Sequence, residues 1–203
     1  MAPTLSVFSA LGFGLIAYLF GSLTPSIWVT RLIRGVDVRD SGSGHATTTN
    51  TIRQAGFGPG VVVFILDIAK GFIPTYLALS FAPVWSVPFV AGLAIMGHCW
   101  PVFAGFRGGM GLATAAGGLL AVNPIGALLG LGILVTLLLV IHHGARASVF
   151  TAILLAPFLW LVGLKDLIFW VALVEGVVIG LRFLIDWNRK YRELWLDREK
   201  TAT

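Results

Sequence analysis

The sequence predicts an all-α integral membrane protein of seven transmembrane helices, with its N-terminus outside and its C-terminus cytoplasmic. Three observations carry this. Of 203 residues, 57% are hydrophobic and only 11% are charged, less than half the charged share of an ordinary soluble domain, so polar side chains are too few to cover a water-facing surface. The apolar residues fall in runs long enough to cross a bilayer. The intervals between them are too short for a second domain, so residues 1–203 read as a single transmembrane domain. Finally, the cationic residues gather on one side of those runs.

The runs lie at roughly 5–32, 58–82, 84–104, 110–122, 124–142, 148–164 and 166–186. The first is too long and too weakly basic for a typical cleaved leader. The fourth, GLATAAGGLLA, is short and built of small residues. Small residues let helices approach closely in lipid, a use that suits Gly21, Gly92, Gly117, Gly118, Gly126, Gly130 and Gly180. With the N-terminus outside, the inner segments hold Arg31, Arg34, Arg39, Arg53, Arg107, Arg146 and Arg182, then Arg189, Lys190, Arg192, Arg198 and Lys200. Those are twelve of the 14 lysines and arginines, a bias strong enough to set the orientation. The final stretch, DWNRKYRELWLDREK, alternates charge and carries aromatics, and reads as an interfacial helix over about 187–200.

The net charge of +5 does not imply a nucleic-acid partner, because the basic residues flank spans, where anionic headgroups and insertion bias account for them. A single cysteine, Cys99, excludes an intramolecular disulfide and reads as a small core residue.

Two inner segments, falling at about 33–57 and 105–110, are too unusual to be plain linkers. The first contains DVRDSGSGHATTTNTIRQAG. Its glycine-rich SGSG can turn amides toward an anion. Three hydroxyls follow, Thr47 to Thr49, and then Asn50 and Arg53, three apart and so on one face if helical. Amides, hydroxyls and a guanidinium suit a phosphate; a flexible polar loop is the competing reading. The second, GHCWPVFAGFRGGMGLATAAG, brings RGGMG to the start of a small-residue helix, a plan that delivers helix N-terminal amides to an anion. His98 stands just ahead of it, either as a hydrogen-bonded structural residue or as a catalytic one. Asp67 and Lys70 share a helix face and read as an ion pair, whereas Glu175 has no local partner and would meet Lys70 or Arg146.

These residues resemble a known family, the bacterial acyl-phosphate-dependent glycerol-3-phosphate acyltransferases called PlsY. The resemblance runs over nearly the whole chain: AYLFGSLTPS, DVR leading into SGSGxxxTTN and Arg53, LDIAKG, the long GHCWPVFAGFRGGMGLATAAG stretch, and APF at Ala156–Phe158. It implies a seven-span enzyme of the bacterial inner membrane with a cytoplasmic active face. It further implies transfer of a fatty acyl group from acyl phosphate to the 1-hydroxyl of glycerol 3-phosphate, with no metal or cofactor and with membrane lipids as the surroundings. By position, Ser43, Asn50 and Arg53 would bind substrate phosphate, Gly108, Gly109 and Gly111 would supply amides beside Arg107, and His98 would orient or polarise a reacting group.

The chain departs from the family pattern at four places. Where the family typically reads GGKG, the lysine is Met110; the first loop has His45 for an asparagine; and an RHxxNI-like stretch is matched by RFLIDW, giving Phe183 and Asp186. Arg146 stands where a small polar residue is usual, and with Lys70 and His45 forms a possible supporting set for the lost ammonium. A divergent acyltransferase with another acceptor and a non-catalytic lipid-binding paralogue are the alternatives. A transporter would show repeated halves with polar sites at mid-membrane, and no clear repeat is present. A bundle of this size can enclose a site as a monomer.

Overall fold

A computed structural model describes residues 3–189, with side chains from residue 6; the interfacial helix expected over about 187–200 lies almost wholly outside the described residues. Among them the chain is all helical: α1 (Pro3–Gly21), α2 (Pro25–Arg34), α3 (Thr48–Ala55), α4 (Phe57–Phe81), α5 (Val87–Cys99), α6 (Leu112–Val122), α7 (Pro124–Ile141), α8 (Gly144–Leu161) and α9 (Leu167–Leu184). Six stretches are long and apolar enough to cross a membrane: Ser6–Arg34, Phe57–Phe81, Val84–Ala104, Pro124–Ile141, Gly144–Leu161 and Leu167–Leu184. The fourth expected segment becomes the short α6. Its eleven residues rise only ~16 Å, about half the hydrocarbon thickness. Asn123 and Pro124 set its end: Asn123 leaves the helical conformation and caps α7 by accepting from the Gly126 amide at 3.0 Å.

The first span is broken at Ser22–Thr24. Proline has no N–H and drives the residue before it out of the helical region, and Thr24 accordingly takes φ −118°, ψ 73°. The break frees backbone groups that lipid cannot satisfy. Lys70 Nζ takes the Leu23 carbonyl at 2.8 Å, and Ser22 Oγ accepts from the Val102 amide at 3.4 Å.

Large side chains such as Phe8, Leu32, Val140 and Leu161 are exposed, whereas the centre is built of Ala17, Ala91, Ala94, Val171, Leu159 and similar residues. This inversion is what an apolar solvent permits. α4 packs on α6, α8 on α9, α1 on α5 and α5 on α9. The α4–α6 seam is backbone on backbone: a Cβ on Gly71 would strike the Thr114 carbonyl and one on Gly117 the Ile68 carbonyl.

Both polar loops are folded against the same end of the bundle. Asp37 accepts from the Arg39 amide and guanidinium and pairs with Arg31 at 2.7 Å. The hydrogen bonds from Arg39, with help from Arg31, bring the Asp37 carboxyl down to about 2. Arg39 Nη1 in turn donates to the Ala104 and Arg107 carbonyls at 2.7 and 3.1 Å, tying the first loop to the second.

Candidate functional site

A cavity of about 360 Å³ opens where the two loops meet one end of α4, α6, α7, α8 and α9. Two helix N-termini face it. Thr47 caps α3 by accepting from the Asn50 amide at 3.3 Å. That leaves the first turn, Thr48 and Thr49, on the cavity wall. Gly111 stands at the N-cap of α6 with φ +87°, which only glycine adopts readily, so the helix has no side-chain cap. Gly111, Leu112 and Ala113 line the opposite wall. The uncapped amides and the aligned helix dipoles make both walls attractive to an anion.

Arg53 reaches the same cavity from the last turn of α3. Its Nη2 is buried and has no partner among the described residues, and the same holds for Thr48 Oγ1. A buried polar atom left open in this way is costly unless a ligand meets it, so the pair marks where an anionic group fits.

His98 closes the cavity from the end of α5. Its Nδ1 lies 2.9 Å from Lys70 Nζ, and Lys70 Nζ lies 2.8 Å from Asp67 Oδ1. The ion pair expected from the three-residue spacing of Asp67 and Lys70 is therefore present, with His98 added to it. Asp67 Oδ1 also approaches Nδ1, but only to 3.5 Å. An ammonium only donates, so at the shorter contact Nδ1 accepts and the ring proton sits on Nε2. Nε2 is directed at Gly109, where a Cβ would collide with it and with the Ala46 carbonyl. His98 is thereby set as a donor toward the cavity, held by a charged pair below it.

Several expected site residues are placed differently. Asn50 is fully buried beneath the first loop and is not on the cavity wall; its amide nitrogen serves the Val38, Ser41 and His45 carbonyls at 2.6, 3.1 and 3.1 Å. It shapes the loop. The Gly108 and Gly109 amides are turned away from the cavity, toward the Cys99 and His98 carbonyls at 3.2 and 3.0 Å, because the chain doubles back on the end of α5 and those C-terminal carbonyls need donors. The anion-facing amides belong instead to the first turn of α6. The Arg107 side chain is exposed and off the wall. Arg146 stacks its guanidinium 5.5 Å from the Trp187 ring centroid and does not line the cavity. Glu175 meets neither Lys70 nor Arg146: among the described residues its carboxyl has no partner. Ser43 does line the cavity, as do Met110 and Phe183.

The residue the sequence reading passed over is Arg182. It is 7% exposed, donates through Nε to the Gly109 carbonyl at 3.1 Å, and sets Nη2 3.2 Å from His45 Nδ1. His45 Nε2 sits 2.9 Å from Asp186 Oδ2. Arg189 Nη1 also approaches Nε2, at 3.2 Å. A guanidinium cannot accept, so Nδ1 accepts from Arg182; the shorter contact at Nε2 is its N–H donating to Asp186, and Arg189 stands beside that proton as a neighbouring charge 3.6 Å from Asp186 Oδ1. Burial and the Arg182 charge hold the imidazole below its usual range, against the pull of Asp186. The end of α9 thus clasps both loops at once. The only signal for it along the chain is the arginine opening RFLIDW, where its charge alone is visible.

The glycerol-3-phosphate acyltransferase family model matches residues 11–193. A glycerol-3-phosphate acyltransferase of Aquifex aeolicus is 37% identical over 175 residues, 85% of this chain and 91% of that protein. One from Synechococcus elongatus is 37% identical over 159 residues, covering 72% and 76%. Two crystal structures of PlsY (YgiH), an integral membrane glycerol 3-phosphate acyltransferase, are similar throughout. The glycerol 3-phosphate form has a TM-score of 0.78 at 37% identity, covering 89% of this chain and 91% of that one. The lysophosphatidic acid form has a TM-score of 0.75 at 36% identity, with the same coverage. With sequence and fold alike over this length, the chain belongs to the glycerol-3-phosphate acyltransferase family.

Proposed function

We propose that this chain moves a fatty acyl group from an acyl phosphate to the 1-hydroxyl of glycerol 3-phosphate, giving lysophosphatidic acid and inorganic phosphate. Family membership carries the acceptor and product. The observation that most supports a phosphate-handling site is the pair of open buried atoms, Arg53 Nη2 and Thr48 Oγ1, between two helix N-termini.

The reaction asks little covalent chemistry of the protein. The hydroxyl oxygen of the acceptor attacks the carbonyl carbon of the mixed anhydride, the bond to the phosphate oxygen breaks, and the hydroxyl proton ends on the departing phosphate. The anhydride is already activated, so no metal or coenzyme enters the scheme. The difficulty is holding two phosphates and an acyl chain together against their repulsion. Arg53, the Thr48 and Ser43 hydroxyls and the α6 N-terminus serve as the anion cradle. His98, donating from Nε2, stabilises the negative charge that grows on the carbonyl oxygen or the leaving phosphate. The apolar wall of Leu134, Leu138 and Phe183 receives the start of the acyl chain.

The same reading includes seven crossings with the N-terminus outside, in one domain that works as a monomer in a bacterial inner membrane with the cavity facing the cytoplasm. Its support is the path of the chain. α6 starts at the cavity and hands over to α7, whose Gly126 packs on Ile168 near the start of α9, at the far end of the bundle. α7 then returns to the cavity through Leu134 and Leu138. The twelve inner cations give the direction.

The deciding experiment is phosphate release by the purified protein in lipid, given palmitoyl phosphate with and without glycerol 3-phosphate. Acceptor-dependent release with lysophosphatidic acid formed is expected. Release that ignores the acceptor, from folded protein, would refute this assignment.

A further inference from the structure

A second cavity, of about 90 Å³, lies deeper between α6, α7, α8 and α9 and shares Leu112, Leu134 and Ser148 with the first. Its walls are apolar apart from Thr151, which is bonded to its own helix at 2.8 Å, the shared Ser148, bonded likewise at 2.9 Å, and Glu175. Glu175 is 3% exposed, and neither carboxyl oxygen has a partner among the described residues. The surrounding helices make room for it: Gly118 faces Glu175 Oε1, and any Cβ there would overlap it. A carboxyl at this depth is expensive and calls for a partner. Along α9 it stands seven residues from Arg182, two helical turns or ~10 Å deeper on the same helix side, while Phe183, next to that arginine, lines the first cavity.

We propose that the second cavity receives the middle of the donor's acyl chain, and that Glu175 is a specificity residue favouring chains with a hydroxyl at mid-length. This rests on the acyltransferase reading above. A plain hydrocarbon passing through seals the carboxyl away from any hydrogen bond, whereas a chain hydroxyl gives it one, and a site built around a buried polar group discriminates against ligands that leave it unmet. The distance from Arg182 puts such a hydroxyl well down a long chain and excludes one next to the carbonyl.

The test compares 10-hydroxystearoyl phosphate with stearoyl phosphate as donors to glycerol 3-phosphate, using the full chain in lipid. The kcat/KM ratio of hydroxylated to plain donor is expected to exceed one in the native protein. It should fall about tenfold in Glu175→Leu and be largely kept in Glu175→Gln. A ratio that is the same in native protein and folded Glu175→Leu overturns the proposal. A second measurement needs no turnover: thermal stabilisation of the native protein by lysophosphatidic acid carrying either chain. Greater stabilisation by the hydroxylated chain supports the role of Glu175, and equal stabilisation overturns it. If neither acyl phosphate is consumed, the reaction assignment fails, and the stabilisation comparison still decides the cavity.

Discussion

His45 Nε2 hydrogen-bonds Asp186 Oδ2 at 2.9 Å, joining the first polar loop to the end of α9. Both residues stand where the family pattern has asparagine, so two departures that look independent along the chain meet in space. Replacing either one alone removes this hydrogen bond from a buried cluster that also holds Arg182 and Arg189, at a cost of about 1–3 kcal/mol. His45→Asn and Asp186→Asn are each expected to lower Tm and acyl transfer. The double variant, which restores the family pair, should recover most of both. A double variant as poor as the sum of the singles would show that the contact is incidental.

The same contact predicts a pH dependence. The folded ring titrates below 6.5, chiefly through burial and then through Arg182, so the folded protein holds fewer protons there than the unfolded chain. Stability from the neutral ring is fully present above that value and declines as pH falls below it. Asp37, held at about 2 against an ordinary 3.8, stays ionised across this window and does not mask the effect. Tm should drop from about pH 7.5 to about pH 5.5, and drop less in His45→Asn. An equal drop in both proteins would remove His45 as the source.

Arg53 offers a guanidinium nitrogen with no partner among the described residues. Losing a charge-assisted bond costs ~1.5–3 kcal/mol, about 10- to 150-fold. Arg53→Ala should lower kcat/KM by about 10- to 150-fold while leaving Tm within a few degrees. Full activity in the variant would take Arg53 out of the site.

Met110 is nearly buried, packed with Ile95, Cys99 and Phe183, yet on the cavity wall. A lysine there can lay its stem on the apolar cluster and send its ammonium to the phosphate. Met110→Lys is expected to lower the KM for glycerol 3-phosphate about tenfold and to lower Tm. A raised KM in folded protein would mean that the pocket has been rebuilt around the thioether.

The helical, membrane-embedded architecture was legible because lipid demands long apolar runs, and the Asp67–Lys70 pair because helix geometry puts neighbours three apart on one face. The gathering of Ser43, Arg53, His98 and Gly111 was legible through the family resemblance. What stayed hidden depends on backbone direction and long-range contact. Nothing in RGGMG tells which way Gly108 and Gly109 point their amides, and nothing in the first loop distinguishes a ligand-binding Asn50 from one that braces carbonyls. Arg182 was visible only as a charge, since its reach to Gly109 and His45 spans more than seventy and more than a hundred residues of sequence. The break in the first span did have a local signal in Thr24–Pro25, and so did the early end of α6 in Asn123–Pro124.

That break also changes what the first span is for. Lys70 reaches from the Leu23 carbonyl to His98 and Asp67, so the interruption is one leg of the tripod on which the histidine stands. A chain deprived of its first span, or given an unbroken helix there, would free the lysine to swing and leave the imidazole without a fixed proton. On the acyl-transfer scheme proposed above, the N-terminal segment is therefore one of the working parts, and an anchor swapped in from another protein would hold the chain in the membrane without making it competent.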